Sequence, residues 1–270
     1  METTERKIRV TLWNEFRHEK TNEAAKAIYP EGLHACIGKY LAQFPQFEIK
    51  LAALDDPDQG LPDEVLNATD VLIWWGHMAH GEVNDALVTK IQRRVYLGKM
   101  GFIALHSAHH SKPFRAIVGT TGNLTWGREQ REIMWNLLPA HPIAAGIPKN
   151  FLIEEEELYA EPFFIPQPSE LIFGSWYEDG YIFRAGMTFL RDAGRIFYFQ
   201  PGHETCPSFH NPHVLRVIKN AVLWTAPSDE KYEYRDECPH VVQNLAERIA
   251  AGKAKGNMTD TVFNELGVKN

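Results

Sequence analysis

The most constraining feature of this sequence is a set of short, unbroken apolar runs separated by stretches of helical periodicity. Val71 to Trp75 (VLIWW), preceded by Asp70, and Gly101 to Leu105 (GFIAL) have the length and composition of strands buried on both faces. Both fall far below the ~20 apolar residues that a membrane-spanning helix needs. Between them Val83, Leu87, Ile91 and Val95 recur every four residues, one face of a helix, and Gly98 closes it. Ile8 to Trp13 (IRVTLW) and Phe47 to Ala53 read as two more strands around a helical stretch over Glu23 to Phe44. Strands that alternate with helices predict βαβ units, and hence an α/β fold with a mostly parallel central sheet.

The second half is less regular. Leu171 to Trp176 and Tyr181 to Phe183 flank Glu178-Asp179-Gly180, a hairpin turn. Arg195 to Phe199 (RIFYF) is another central strand. Asn211-Pro212 then supplies an N-cap and a first-turn proline for a helix over Val214 to Trp224, ended by Pro227. Residues 1–227 form the expected α/β domain, and 228–270 a polar extension. In that extension Val241 to Ala251 suits a short amphipathic helix, and Val262, Phe263 and Leu266 suit a homo-oligomer contact. Met1 to Lys7 is polar and no apolar signal core follows, so a soluble, cytoplasmic protein is expected. With 28 Lys+Arg against 35 Asp+Glu, the net charge of −7 argues against nucleic acid or an anionic membrane as partner.

Histidine is the compositional anomaly, and its placement carries the chemistry. In a parallel α/β sheet, ligands bind at the carboxyl ends of the strands. His18 follows the first strand; His77 and His80 follow Val71 to Trp75; His106, His109 and His110 follow Gly101 to Leu105; His203 follows Arg195 to Phe199. A lone loop histidine is usually a hydrogen-bonding residue, so the signal is the convergence. His34 and His240 lie outside the pattern, and His210 and His213 sit at a helix start where they serve as caps. Clustered imidazoles suit a borderline transition metal, zinc first, or general acid–base work near neutrality. The run Glu154 to Glu157 is either a solvated charge run or the carboxylate source for such a site. The cysteines Cys36, Cys206 and Cys238 show neither a disulfide framework nor thiolate zinc spacing.

One turn is more specific. Ala104-Leu105-His106-Ser107-Ala108 places small residues two before and two after His106, the pattern of a strand-to-helix nucleophile elbow. No cysteine occupies the slot, so Cys-dependent amide hydrolysis is not expected. Ser107 beside it permits a serine hydrolase reading with a histidine base, but no acid partner follows in order.

Trp74-Trp75-Gly76-His77-Met78-Ala79-His80, Leu105-His106-Ser107-Ala108-His109-His110-Ser111-Lys112 and Pro201-Gly202-His203-Glu204-Thr205 resemble the ThuA-like, trehalose-utilisation family. So do Phe16-Arg17-His18-Glu19, His141-Pro142-Ile143, Glu156-Glu157-Leu158-Tyr159 and Ile196-Phe197-Tyr198-Phe199, in the family's order from about residue 8 to 226. The resemblance implies a three-layer α/β/α, flavodoxin-like fold of the class I glutamine amidotransferase type, with the amidotransferase cysteine replaced by His106. It also implies a role in using trehalose or related disaccharides through 3-keto derivatives made by a partner sugar dehydrogenase.

A 3-keto sugar has an acidified C2 proton, so a base can enolise it and expel the C1 substituent, with a metal polarising the ketone. The expected enzyme is therefore of lyase or hydrolase type, with a small-molecule sugar substrate and no nucleotide cofactor. His106, Glu157 and Ser107 are the catalytic candidates, and His18, His77, His106 and His203 the metal ligands. Trp75, His80, His109, Trp126 and Tyr159 are the substrate-binding candidates; Trp74 offers a further flat face. A non-catalytic sugar-binding or regulatory module that has lost amidotransferase chemistry is the alternative.

Overall fold

A computed structural model describes residues 6–227; the expectations for 228–270, including the amphipathic helix and the oligomer contact, lie outside the described residues. The chain runs β1 (Ile8–Asn14), α1 (His18–Thr21), α2 (Glu23–Ile28), α3 (Leu33–Leu41), β2 (Phe47–Ala53), α4 (Asp63–Ala68) and β3 (Val71–Trp75). It continues through α5 (Asp85–Tyr96), β4 (Gly101–Leu105), α6 (Lys112–Val118), β5 (Thr125–Asn136) and β6 (Asn150–Ala160). It closes with β7 (Glu170–Tyr177), β8 (Ile182–Arg191), β9 (Gly194–Phe199) and α7 (Pro212–Thr225).

The nine strands among the described residues form one sheet in the order β2-β1-β3-β4-β9-β8-β7-β5-β6. The first five in that order pair in parallel, and from β9 onward every pairing is antiparallel. The sheet is therefore mixed, not mostly parallel. Connection length explains the difference: only Asp192 and Ala193 separate β8 from β9, and a parallel pair needs a crossover of a dozen residues or more. The Glu178-Asp179-Gly180 turn joins β7 to β8 as expected, with Gly180 at φ 85°.

Every residue of β3 and β4 is buried, as their unbroken apolar runs require. Helices α3 and α7 pack together on the sheet, as do α5 and α6, and Leu87, Val88, Ile91 and Val95 form the buried face of α5. The expected helix over Glu23 to Phe44 is instead two, α2 and α3. Pro30 cannot continue the first, and Gly32, at φ 100°, turns the chain into the second. Asn211 caps α7, its Oδ1 accepting from the N–H groups of His213 (2.9 Å) and Val214 (3.5 Å). No helix among the described residues is long and apolar enough to cross a membrane.

Candidate active site

The site is built where the carboxyl ends of β1, β3, β4 and β9 meet the end of β6. In a flat sheet, five spacings of about 4.8 Å would put β6 ~24 Å from β4. Yet Glu157 Oε2 on β6 lies 3.1 Å from His106 Nε2 just beyond β4. The antiparallel half therefore curls back over the ends of the parallel strands. Two register shifts in the β5/β6 ladder, beside Glu156 and Glu157, leave both of these adjacent carboxylates buried.

His106 occupies the turn after β4 at φ 51°, a left-handed backbone that is rare outside glycine and typical of a strained functional turn. Its ring is fully buried. Nδ1 donates to the Gln200 carbonyl at 2.9 Å, and Nε2 lies 3.2 Å from the Tyr159 hydroxyl. Burial alone would lower its pKa, but Glu157 at ion-pair distance and buried Glu156 reverse the shift and raise it. Burial pushes Glu157 up, while His106, His203 and His77 bring it below the usual carboxylate range.

Three other histidines gather around Glu204. His77 Nδ1 is 2.9 Å from Glu204 Oε2, and His18 Nε2 and His203 Nε2 are 3.2 and 3.6 Å from Oε1. Burial would raise Glu204, but the hydrogen bond from His77 and the nearby rings bring it down to about 2. A carboxylate can only accept, so His77 Nδ1 is the donor in this hydrogen bond. His203 Nδ1 lies 2.7 Å from the Thr205 hydroxyl, and burial lowers its pKa to about 4, so the ring is neutral at pH 7.

Ligand atoms of His77, Glu157 and His203 lie within 4.8 Å of one another, as do those of His18, His77 and Glu204. Glu157 Oε2 is buried, with His106 Nε2 at 3.1 Å and His203 Nε2 at 4.0 Å. Two imidazoles and a buried carboxylate oxygen are a donor set that fits zinc or another borderline divalent ion. Glu204 stands behind His77, in the position of a carboxylate that would orient this imidazole toward an ion.

An open cavity of about 210 Å³ adjoins this cluster, lined by His77, His80, Ser107, His109, His110, Asn123, Leu124, Trp126, Glu157 and Tyr159. The structure thus brings Glu157, Ser107, His80, His109, Trp126, Tyr159 and His77 to one cavity, with His18 and His203 beside it. Ser107 Oγ donates to the Gly76 carbonyl at 2.7 Å, and His109 Nδ1 lies 2.7 Å from the Gly122 carbonyl. Burial lowers the pKa of His80 to about 4 and that of His109 well below the ordinary value. Trp126 is 71% exposed at the cavity mouth. His106 is apart from the ligand groups because both its ring nitrogens are engaged. Trp75 is buried, with Nε1 donating to the Gly202 carbonyl, and Trp74 stacks on Trp13 in the core at 3.7 Å.

Sequence reasoning missed two bracing glutamates. Glu15 accepts from the backbone N–H groups of Met78 (2.8 Å) and Ala79 (2.9 Å), fixing the His77 loop. Glu156 accepts from those of Gly202 (2.7 Å) and His203 (3.1 Å), fixing the His203 loop. Glu204 was visible in its motif but was given no role. Its position beside His203 was the available signal.

The mixed sheet and strained elbow define a glutamine amidotransferase-like α/β protein with a histidine at the elbow. A glutamine amidotransferase from Thermotoga maritima shares the fold at a TM-score of 0.51 and 11% identity, over 82% of this chain and 99% of that one. The chain belongs to the ThuA family, described as trehalose utilisation, whose model matches residues 9–225. Membership supports a role in trehalose utilisation in general. A putative ThuA-like protein from Bacteroides uniformis is similar at 15% identity and TM-score 0.59, covering 83% of this chain and 94% of that one. Another from Parabacteroides merdae gives 13% and 0.60, covering 82% and 90%. No curated protein matches the chain.

Proposed function

We propose that this protein is an enzyme of disaccharide utilisation that cleaves a 3-keto-glycoside by enolisation and loss of the C1 substituent. The observation that carries this reading is the cluster of ligand atoms from His77, His203 and Glu157, within 4.8 Å of one another, at the edge of the cavity that His77 and Glu157 line. His77, His203 and Glu157 would hold a divalent transition ion, with Glu204 and His18 bracing them. Such an ion would supply Lewis-acid polarisation of the ketone, which would make the C2 proton removable near neutrality.

His80, kept neutral by burial, takes the C2 proton as that C–H bond breaks and the C1–O bond opens, leaving a C1=C2 double bond. Tyr159, hydrogen-bonded to His106, gives its proton to the departing oxygen. Water adding across the new double bond completes a hydrolysis. The volume is below the ~300–1,000 Å³ of pockets that enclose a drug-sized ligand, which suits one sugar ring inside and the second at the mouth. There the exposed Trp126 offers an aromatic face.

Elemental analysis of purified protein together with turnover of 3-keto-trehalose tests the reading. One equivalent of metal is expected, lost in His77→Ala and Glu157→Ala, with kcat falling at least a hundredfold. His80→Ala and Tyr159→Phe should lower kcat while retaining the metal. If the protein binds 3-keto-trehalose but neither wild type nor variants turn it over, the non-catalytic sugar-binding module takes its place.

A further inference from the structure

The antiparallel half carries an apolar row on its outer face. Leu152 on β6 pairs with Ile133 on β5, Ile133 with Trp176 on β7, and Trp176 with Ile182 on β8. These four residues stand side by side across four strands, exposed by 41%, 36%, 51% and 64%. Directly paired residues share a sheet face, so the row is one continuous surface. Half-buried Trp135 extends it two residues along β5, and exposed Leu137 lies over Gly174 of β7. An antiparallel sheet with one face in water ordinarily alternates apolar-in and polar-out. Here four outward positions, one on each of four consecutive strands, are apolar and include tryptophan, a residue enriched at binding hot spots.

We propose that this face is where a second copy of the chain docks, sheet against sheet. Three observations select that occupant. The rim carries both signs of charge, with Arg131 3.2 Å from Glu154, Arg128 3.7 Å from Asp179, and Glu178 alongside. It therefore has none of the cationic excess that nucleic acid or an anionic membrane would select. A rim with both signs can meet its own copy across a two-fold axis without like-charge conflict. Two sheets with the same twist also pack face to face when aligned at about 30°, and identical copies present identical twist.

The size is consistent. Four strands at about 4.8 Å by one row at about 6.8 Å give roughly 130 Å² of apolar face, which Trp135 and Leu137 extend. A standard interface takes about 800 Å² per partner, an apolar centre surrounded by a polar rim, and the charged residues beside the row supply that rim. The proposal does not depend on the reaction assigned to the cavity.

Sedimentation velocity of the full-length protein from 1 to 100 µM is the test. A concentration-dependent dimer is expected, with Kd raised at least tenfold by Ile182→Lys or Trp176→Glu and unchanged by Leu97→Lys, a control at an exposed leucine elsewhere. Circular dichroism should be the same for all four proteins. A photoreactive phenylalanine at position 182 should crosslink to Ile133, Leu152 or Trp176 of another copy. A wild type that stays monomeric throughout overturns the proposal, as does a dimer indifferent to both substitutions. Crosslinking to residues 228–270 of the same chain also overturns it, because that segment would then be the occupant.

Discussion

Buried imidazoles give this protein an acid sensitivity that is independent of its site. His34 on α3 is 8% exposed, and its Nδ1 lies 3.1 Å from Asn14 Nδ2. An amide N–H can only donate, so the ring accepts and is neutral. Burial lowers its pKa to about 4. The unfolded chain takes up this proton below about pH 6.5, whereas the folded one waits until about 4. The stabilisation from keeping His34 neutral is thus complete above pH 6.5 and is lost as pH falls toward 4. At about 1.4 kcal/mol per unit it amounts to about 3 kcal/mol. Denaturant unfolding at pH 7 and pH 4.5 checks this: His34→Gln should be less stable than wild type at pH 7 and should lose less on acidification.

At the scale of elements, loops that look irregular are fixed by buried carboxylates. Removing Glu15 strands the amides of Met78 and Ala79, and hydrogen bonds to a charged group are worth about 1.5–3 kcal/mol each. Glu15→Ala should cost about 3 kcal/mol in thermal or chemical unfolding and weaken metal retention at His77; Glu15→Gln, which keeps one acceptor, should cost less. The two halves of the fold differed in how legible they were. Strands β1, β3, β4 and β9 could be read because apolar runs mark burial on both faces, and the elbow because small residues flank His106. Strand β5 also alternates, but its inward positions include Gln130 and Glu132, so its pattern reads as polar. The acidic run of β6 reads either as a solvated surface or as a carboxylate source, because only tertiary contacts bury Glu156 and Glu157. Adjacent carboxylates are buried there by register shifts, and those depend on the partner strand. The mixed sheet followed from connection lengths that were available but were outweighed by the βαβ pattern at the start.

For the whole molecule, the curl of the sheet makes the site a joint between its two halves. His18, His77, His106 and His203 come from the parallel strands, and Glu156, Glu157 and Tyr159 from β6 at the far edge. Loading zinc should therefore slow amide hydrogen exchange together in residues 156–159 and in the loops after β1, β3 and β9, leaving edge strand β2 unchanged. Exchange mass spectrometry with and without the ion reads this directly, and protection confined to one half would contradict a shared centre. The strand order has a further consequence, for synthesis. Of the described strands β9 is the last made, yet it lies in the middle of the sheet between β4 and β8. A ribosome that has released everything up to β8 has produced two partial sheets with the seam between them open. His203, Glu204 and the carbonyl that holds His106 are still missing. A nascent chain therefore cannot assemble this cluster of histidines and carboxylates before β9 closes the seam.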